Sequence, residues 1–335
     1  MDRLDFRLLV ALHQDARLSL RGLGRQVGLS APAVRARVRR LEERGILQGF
    51  WVSVQPALFG RENLLLFFRG DFSRADAVRA LSSRDVAWVA WKLDGGLTVR
   101  IWPTDRESAV QAVTDVLNAK PRHLVVATPA QATKLSPLAW RVMLALLDSP
   151  RVGVGDLAAT TGLSPKTVRR HLKLMTESQA ISILPKLGTL GDSGDVVYHV
   201  AVAGPVSMAD VRRSLGEAFV VHETTRPRAR YLLCRADNLG DALLRAKALG
   251  QCPGVESVTP TLNLEMFVSN GFVRGLIRDQ LHSVGGRVLG GPRAVAAADP
   301  RSRIHPSRVI SSPGTAPPVP SRPGNPHADS SVPSS

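Results

Sequence analysis

The chain has 335 residues, enough for two or three domains, and 44% of them are hydrophobic, enough for packed cores. Its formal net charge of +16 at pH 7 points to a polyanionic partner, nucleic acid or an anionic surface. Its two cysteines, Cys234 and Cys252, lie too far apart for a paired metal or redox motif, so a thiol-metal centre or disulfide framework is not expected and a reducing, cytoplasmic setting fits. No stretch reaches 18 uncharged apolar residues, so no transmembrane helix is expected, and the N-terminal MDRLDFRLL lacks the apolar run of a signal peptide.

Read in chain order, the first residues are helical. Leu4, Leu8, Leu9 and Leu12 recur at helical spacing. Ser19 can cap a second helix carrying Leu20, Leu23 and Val27, and Gly28 supplies its stop. Ser30 can cap a third helix, with Pro32 in its first turn and Val34, Val38 and Leu41 as the buried stripe. The apolar ILQGFWVSV that follows suits a strand or wing. NLLLFFRG then reads as a strand, with a helix near Arg74 to Ser82. DVAWVAWKL and LTVRIW flank a hairpin turn at Asp94, Gly95 and Gly96; a helix from Arg106 to Asn118 and the strand HLVVAT complete a βαββαβ order.

The pattern then repeats. Gly28 and Gly162 are 134 positions apart, and the same offset carries Leu4 onto Leu138, Leu12 onto Leu146, Arg17 onto Arg151, Val34 onto Val168 and Gly70 onto Gly204. A period this long is a tandem duplication of a two-part unit, not a solenoid. In the second copy Val154, Leu157 and Ala158 precede Gly162, Ser164 caps, Pro165 opens the third helix, and Val168, Leu172 and Met175 form its stripe. ISILPKL matches the strand or wing, residues 188–194 read as a flexible connection, and a second βαββαβ runs from VVYHVAVA to VESVTPTLNL. Beyond Leu281 the chain turns rich in Gly, Pro and Ser with six Arg against two Asp; such a segment cannot offset its ordering entropy and is expected to be disordered.

Three short helices with a glycine turn before the third form the helix-turn-helix pattern, whose third helix enters the DNA major groove. Lys166, Arg169, Arg170 and Lys173 fall on one face opposite the second stripe; the first copy has Pro32, Arg35 and Arg39 there, flanked by Arg37 and Arg40. With Ser30, Ser164 and Thr167 at the caps, these are the candidate DNA-binding residues. The first 60 residues hold ten Arg against five acids, and 136–187 hold seven basic against three acidic residues. The tryptophans Trp88, Trp91 and Trp102 read as core or interface. No HExxH, GxSxG, Walker or GxGxxG motif stands in a fitting context, so no catalytic residue, metal or cofactor is expected.

Leu4-Asp5, Asp15-Ala16-Arg17, Gly28-Leu29-Ser30, Val34, Arg37-Val38, Arg40-Leu41-Glu42 and Gly45-Ile46 before Gly49 resemble the N-terminal domain of the Lrp/AsnC family of prokaryotic transcription regulators. The resemblance is strongest over about 60 residues and extends more loosely to 2–265. It implies an α+β chain. Two winged helix-turn-helix domains (1–60 and 136–187) are each followed by a ferredoxin-like βαββαβ domain (61–132 and 195–268), and a disordered basic tail covers 283–335. It implies a cytoplasmic, nucleoid-associated regulator bound to double-stranded DNA, with no membrane partner. The α/β domains would pair within the chain as a pseudo-dimer or between chains as a homo-oligomer. They would sense a small effector such as an amino acid, near Asp94, Gly95 and Gly96. Two units in one chain would meet half-sites about one helical turn apart, roughly 34–36 Å. Two other readings stand beside this one. The architecture is also similar to that of siroheme decarboxylases, for which His123, His199 and His222 would be the acid-base candidates. A nucleoid-architectural protein with little sequence preference is the other.

Overall fold

The computed structural model describes residues 1–127, 133–188, 196–225 and 228–285. The connection expected over 188–194 lies, from residue 189 on, outside the described residues. So does the expected tail from residue 286 on.

The first head is three helices, α1 (Arg3–Gln14), α2 (Leu20–Val27) and α3 (Ala31–Glu43). Each begins where a short polar side chain satisfies free backbone N–H groups. Asp2 and Asp5 form a reciprocal box at α1, the Ser19 hydroxyl accepts from the Gly22 amide at 3.1 Å, and that of Ser30 from Ala33 at 3.4 Å. Gly28 ends α2 in the left-handed region at φ 74°. The tight turn also requires Gly24, because a Cβ there would sit 2.3 Å from the Leu29 carbonyl oxygen. After the head come β1 (Leu47–Val54), β2 (Leu64–Phe68), α4 (Arg74–Leu81), β3 (Val86–Lys92), β4 (Leu97–Ile101), α5 (Arg106–Leu117) and β5 (His123–Val126).

The second half repeats the series at nearly constant offset. Its head is α6 (Pro137–Leu146), α7 (Val154–Thr161) and α8 (Pro165–Glu177), followed by β6 (Ile181–Leu187), β7 (Val196–Ala203), α9 (Met208–Leu215), β8 (Ala218–Thr225), β9 (Arg228–Ala236), α10 (Leu239–Gly250) and β10 (Ser257–Thr261). Two further elements have no counterpart among the described residues of the first half, β11 (Asn263–Val268) and α11 (Asn270–Gly285). Residues 283–285, assigned from the sequence to the tail, close this helix instead.

The second sheet has the order β10-β7-β9-β8 and the first the order β11-β3-β4-β2-β5. Leaving β11 aside, both place the last strand beside the first and the third beside both first and second, with every neighbour antiparallel. The sequence reading put residues 263–268 in the second unit. β11 instead crosses over and pairs with β3, where Glu265 lies opposite Trp91 and Val268 opposite Trp88. It extends an edge strand that would otherwise present unpaired backbone groups.

The expected wings also differ from a hairpin within each head. Each head contributes one strand, and β1 pairs with β6 in an antiparallel ribbon running from Leu47 opposite Leu187 to Val54 opposite Ile181. The two halves are thereby bonded across their own approximate dyad. Packing is crosswise as well. The first head buries Leu8, Leu9, Leu12, Leu23 and Leu41 in one cluster with Val197 and Leu233 of the second sheet. The second head buries Val142, Met143, Leu146 and Val168 with Ala87 and Trp102 of the first sheet. Each sheet keeps a core of its own under its two helices, and each head rests on the sheet of the other unit.

Candidate nucleic-acid interface

In α3, Val34, Val38 and Leu41 face the head core while Pro32, Arg35, Arg39 and Arg40 are exposed. In α8 the exposed residues are Lys166, Arg169, Arg170 and Lys173. Both helices start free at the surface, with their capping serines Ser30 and Ser164 exposed. The Ser164 hydroxyl accepts from the Thr167 amide at 3.2 Å and lies 2.9 Å from the Thr167 hydroxyl. A free helix start lined with arginine and lysine attracts anions through its backbone amides as well as its charges.

The cations are not equivalent. Arg39 pairs with Glu43 at 2.8 Å and Lys173 with Glu177 at 3.7 Å, both exposed pairs one helical turn apart. Among the described residues, Arg35, Arg40, Lys166, Arg169 and Arg170 have no acidic partner. Arg37 is different in kind. Its guanidinium turns back onto the first helix, 2.6 Å from Asp2 and 2.7 Å from Asp5, which raise its pKa. The structure therefore removes Arg37 from the free basic face and makes it the tie between α3 and α1.

Sequence reasoning missed His171. It is buried in the stripe that the sequence assigns to Leu172, which is only half-buried. Burial, then the nearby Arg170, lowers its pKa, and among the described residues neither ring nitrogen has a hydrogen-bond partner. The spacing Val168-His171-Met175 carries the signal, but a polar residue type hides it.

Two equivalent arginines join the heads. Arg17 donates to the carbonyls of Pro150 at 2.9 Å and Val152 at 2.8 Å, in the loop that carries Arg151. Arg151 in turn sits 4.6 Å over the ring of Phe50 in β1. Burial lowers the pKa of both. Together with the β1–β6 ribbon they fix one recognition helix relative to the other.

Asp94, Gly95 and Gly96 form the turn between β3 and β4. The Asp94 carboxylate accepts from the Gly96 amide at 3.0 Å, Gly95 has φ 75°, and its carbonyl accepts from the Phe72 amide at 2.9 Å. The candidate histidines are not brought together: His123 is on β5 of the first sheet and His199 on β7 of the second. The side chain of His222 lies outside the described residues. Among the described residues no group of three or more His, Cys, Asp or Glu could hold a metal ion. No described helix is long and apolar enough to cross a membrane. The three tryptophans are structural. Trp102 is buried between Phe59 and Phe272, Trp91 donates from Nε1 to the Phe72 carbonyl at 2.7 Å, and Trp88 lies 5.8 Å from the Arg100 guanidinium.

Residues 1–42 match the AsnC-type helix-turn-helix domain, and residues 136–178 match the family of bacterial regulatory proteins of the ArsR type. The chain is 45% identical over 62 residues to the HTH-type transcriptional regulator Ptr1 of Methanocaldococcus jannaschii, covering 18% of this chain and 42% of that one. It is 30% identical over 100 residues to the leucine-responsive regulatory protein of Rhizobium meliloti, covering 28% of this chain and 64% of that one. In both cases the match spans less than two thirds of the relative's own length. Among solved structures, the siroheme decarboxylase NirDL aligns over 84% of this chain and 99% of that one, at 14% identity and a TM-score of 0.44.

Proposed function

We infer that this chain, of the Lrp/AsnC family by its N-terminal head, is a DNA-binding transcriptional regulator that carries both members of a head pair in one polypeptide. The heads span 1–60 and 136–187, and the ferredoxin-like units 61–132 and 195–262, with 263–268 added to the first sheet, serve as the frame. The observation that carries this reading is the presence of two capped helices, α3 and α8, each exposing a basic face, on heads tied by the β1–β6 ribbon and by Arg17. Residues at the helix starts are the ones a recognition helix presents to base edges, while lysine and arginine along the helix hold phosphate.

We assign the contacts to Ser30, Pro32, Arg35, Arg39 and Arg40 in the first head, and to Ser164, Lys166, Thr167, Arg169, Arg170 and Lys173 in the second. Arg39 and Lys173 exchange a glutamate for a phosphate on binding. Such exposed pairs contribute about 0–1 kcal/mol, so releasing them costs little. Arginine suits bidentate contact to guanine, so the free Arg35 and Arg169 are the specificity candidates. The two faces differ in sequence, and the target is therefore an imperfect palindrome. The reading is non-catalytic and places the protein on the nucleoid. The same reading keeps a small effector such as an amino acid near the turn of Asp94, Gly95 and Gly96 as a proposal.

Selection from random duplexes at fixed salt tests this. One unequal pair of half-sites bound at least about 10³-fold more tightly than random duplex supports a sequence-reading regulator. Equal affinity for all duplexes would replace it by an architectural protein.

A further inference from the structure

A cleft of about 970 Å³ opens between the first head and the second sheet. Its α1 wall is Phe6, Arg7, Val10 and Gln14; the opposite wall includes Arg212 near the end of α9 and Phe219 at the start of β8. The duplication shows what belongs in such a place. At the offset that carries Gly28 onto Gly162, these α1 positions become Trp140, Arg141, Leu144 and Asp148, and Phe219 corresponds to Asp85 at the entrance of β3. That second groove is closed by α11. Phe272 packs against Trp102 with ring centroids 5.9 Å apart and lies beneath the Arg61 guanidinium at 5.6 Å. Val273 and Ile277 are buried in the cluster that holds Trp140. Asn270 donates to the Leu147 carbonyl at 3.2 Å, and Arg274 pairs with Asp148.

One head is therefore clamped to its sheet by a helix, and among the described residues the equivalent seat at the other head is open. The charges at the two seats differ. Where Asp148 receives an arginine of α11, the open cleft has Gln14. Its Arg7 and Arg212 are exposed and, among the described residues, have no acidic partner. Arg3 is already engaged by Glu217 at 3.0 Å. The remainder of this chain does not suit the seat, since residues 286–335 hold six Arg against two Asp and are rich in proline.

We propose that this cleft docks an acidic amphipathic helix of a partner protein, in the place that α11 takes at the other head. A helix laid into a groove presents its apolar side at positions i, i+3, i+4 and i+7, and on the α1 wall Phe6 and Val10, one turn apart, supply the apolar surface it meets. Docking covers the first head's cleft as α11 covers the second's, and adds to the ties that the ribbon and Arg17 already make.

The probe is a fluorescein-labelled 16-residue peptide with the sequence of α11 carrying Arg274→Glu and Arg278→Glu. It is titrated with the full chain in the absence of DNA, so the outcome is independent of the DNA-binding reading. The proposal predicts saturable binding. The unmodified α11 peptide binds at least about tenfold more weakly, and so does the charge-inverted peptide to the chain carrying Arg7→Glu and Arg212→Glu. Both arginines are exposed, and circular dichroism verifies that this variant folds. Absence of saturation, or equal affinity for the double variant, overturns the proposal. So does citrate raising the melting temperature through the same arginines while the peptide does not bind, which would make the cleft a small-anion site.

Discussion

Replacing Arg17 with alanine tests whether the two heads are latched. The guanidinium makes two hydrogen bonds across the dyad, at 2.9 Å to Pro150 and 2.8 Å to Val152. A hydrogen bond from a charged group contributes roughly 1.5–3 kcal/mol. Both acceptors are carbonyls at a half-buried rim, where water replaces part of the lost bonding. A net loss of about 2–3 kcal/mol follows. For a chain of this size that lowers the melting temperature by roughly 3–5 °C. Arg17→Lys, a point charge without the forked geometry, restores about half of it. Urea and thermal unfolding read the loss directly. A band-shift series with the half-sites moved apart by about half a helical turn reads its consequence, because an unlatched pair of heads discriminates less between spacings. A melting temperature within about 1 °C of the parent, together with unchanged discrimination, would refute the latch.

Three further outcomes follow from the same structure. Arg37→Ala leaves Asp2 and Asp5 side by side without their cation and destabilises the first head by about 1–2 kcal/mol. It leaves the salt slope of DNA binding unchanged, and a slope reduced as much as by Arg35→Ala would return Arg37 to the contact set. Gly24→Ala drives a Cβ onto the Leu29 carbonyl and costs about 1–3 kcal/mol, read as a lower urea midpoint at constant slope. His199 is pushed down from 6.5 to about 4, by burial first and then by His13. Between those values the unfolded chain takes up a proton that the folded chain refuses. Stability is therefore level above pH 6.5 and falls as pH drops toward 4, by up to about 3 kcal/mol. His199→Gln flattens that fall, and an equally steep fall in the variant contradicts the assignment.

The local elements were legible because each copy announces them in the same way. Ser30 and Ser164 cap, Gly28 and Gly162 stop, and the valine and leucine spacing names the buried side. Periodicity shows that a face is apolar and does not show what covers it. The crosswise packing was therefore hidden: nothing about Val197 or Trp102 in the sequence says that the head of the other unit lies on them. The wing strands were recognised as strands, but their pairing across the dyad depends on residues more than a hundred positions apart. α11 was missed because Gly271 and Gly275 interrupt a segment that borders a glycine- and proline-rich region, and its stability comes from docking Phe272 and Ile277 rather than from propensity. Within the candidate interface, the basic faces were readable. The capture of Arg37 by Asp2 and Asp5 was not, since it needs the approach of α3 to α1.

The central claim is that one chain reads both halves of its site with two unlike heads. Hydroxyl-radical footprinting of the selected duplex at a protein-to-DNA ratio of one chain per site tests it most directly. The account predicts two protected patches about one helical turn apart and unequal in extent. Arg35→Ala weakens only one of them, and Arg169→Ala only the other. A footprint that needs two chains and is symmetric, or one in which both substitutions weaken the same patch, would contradict it.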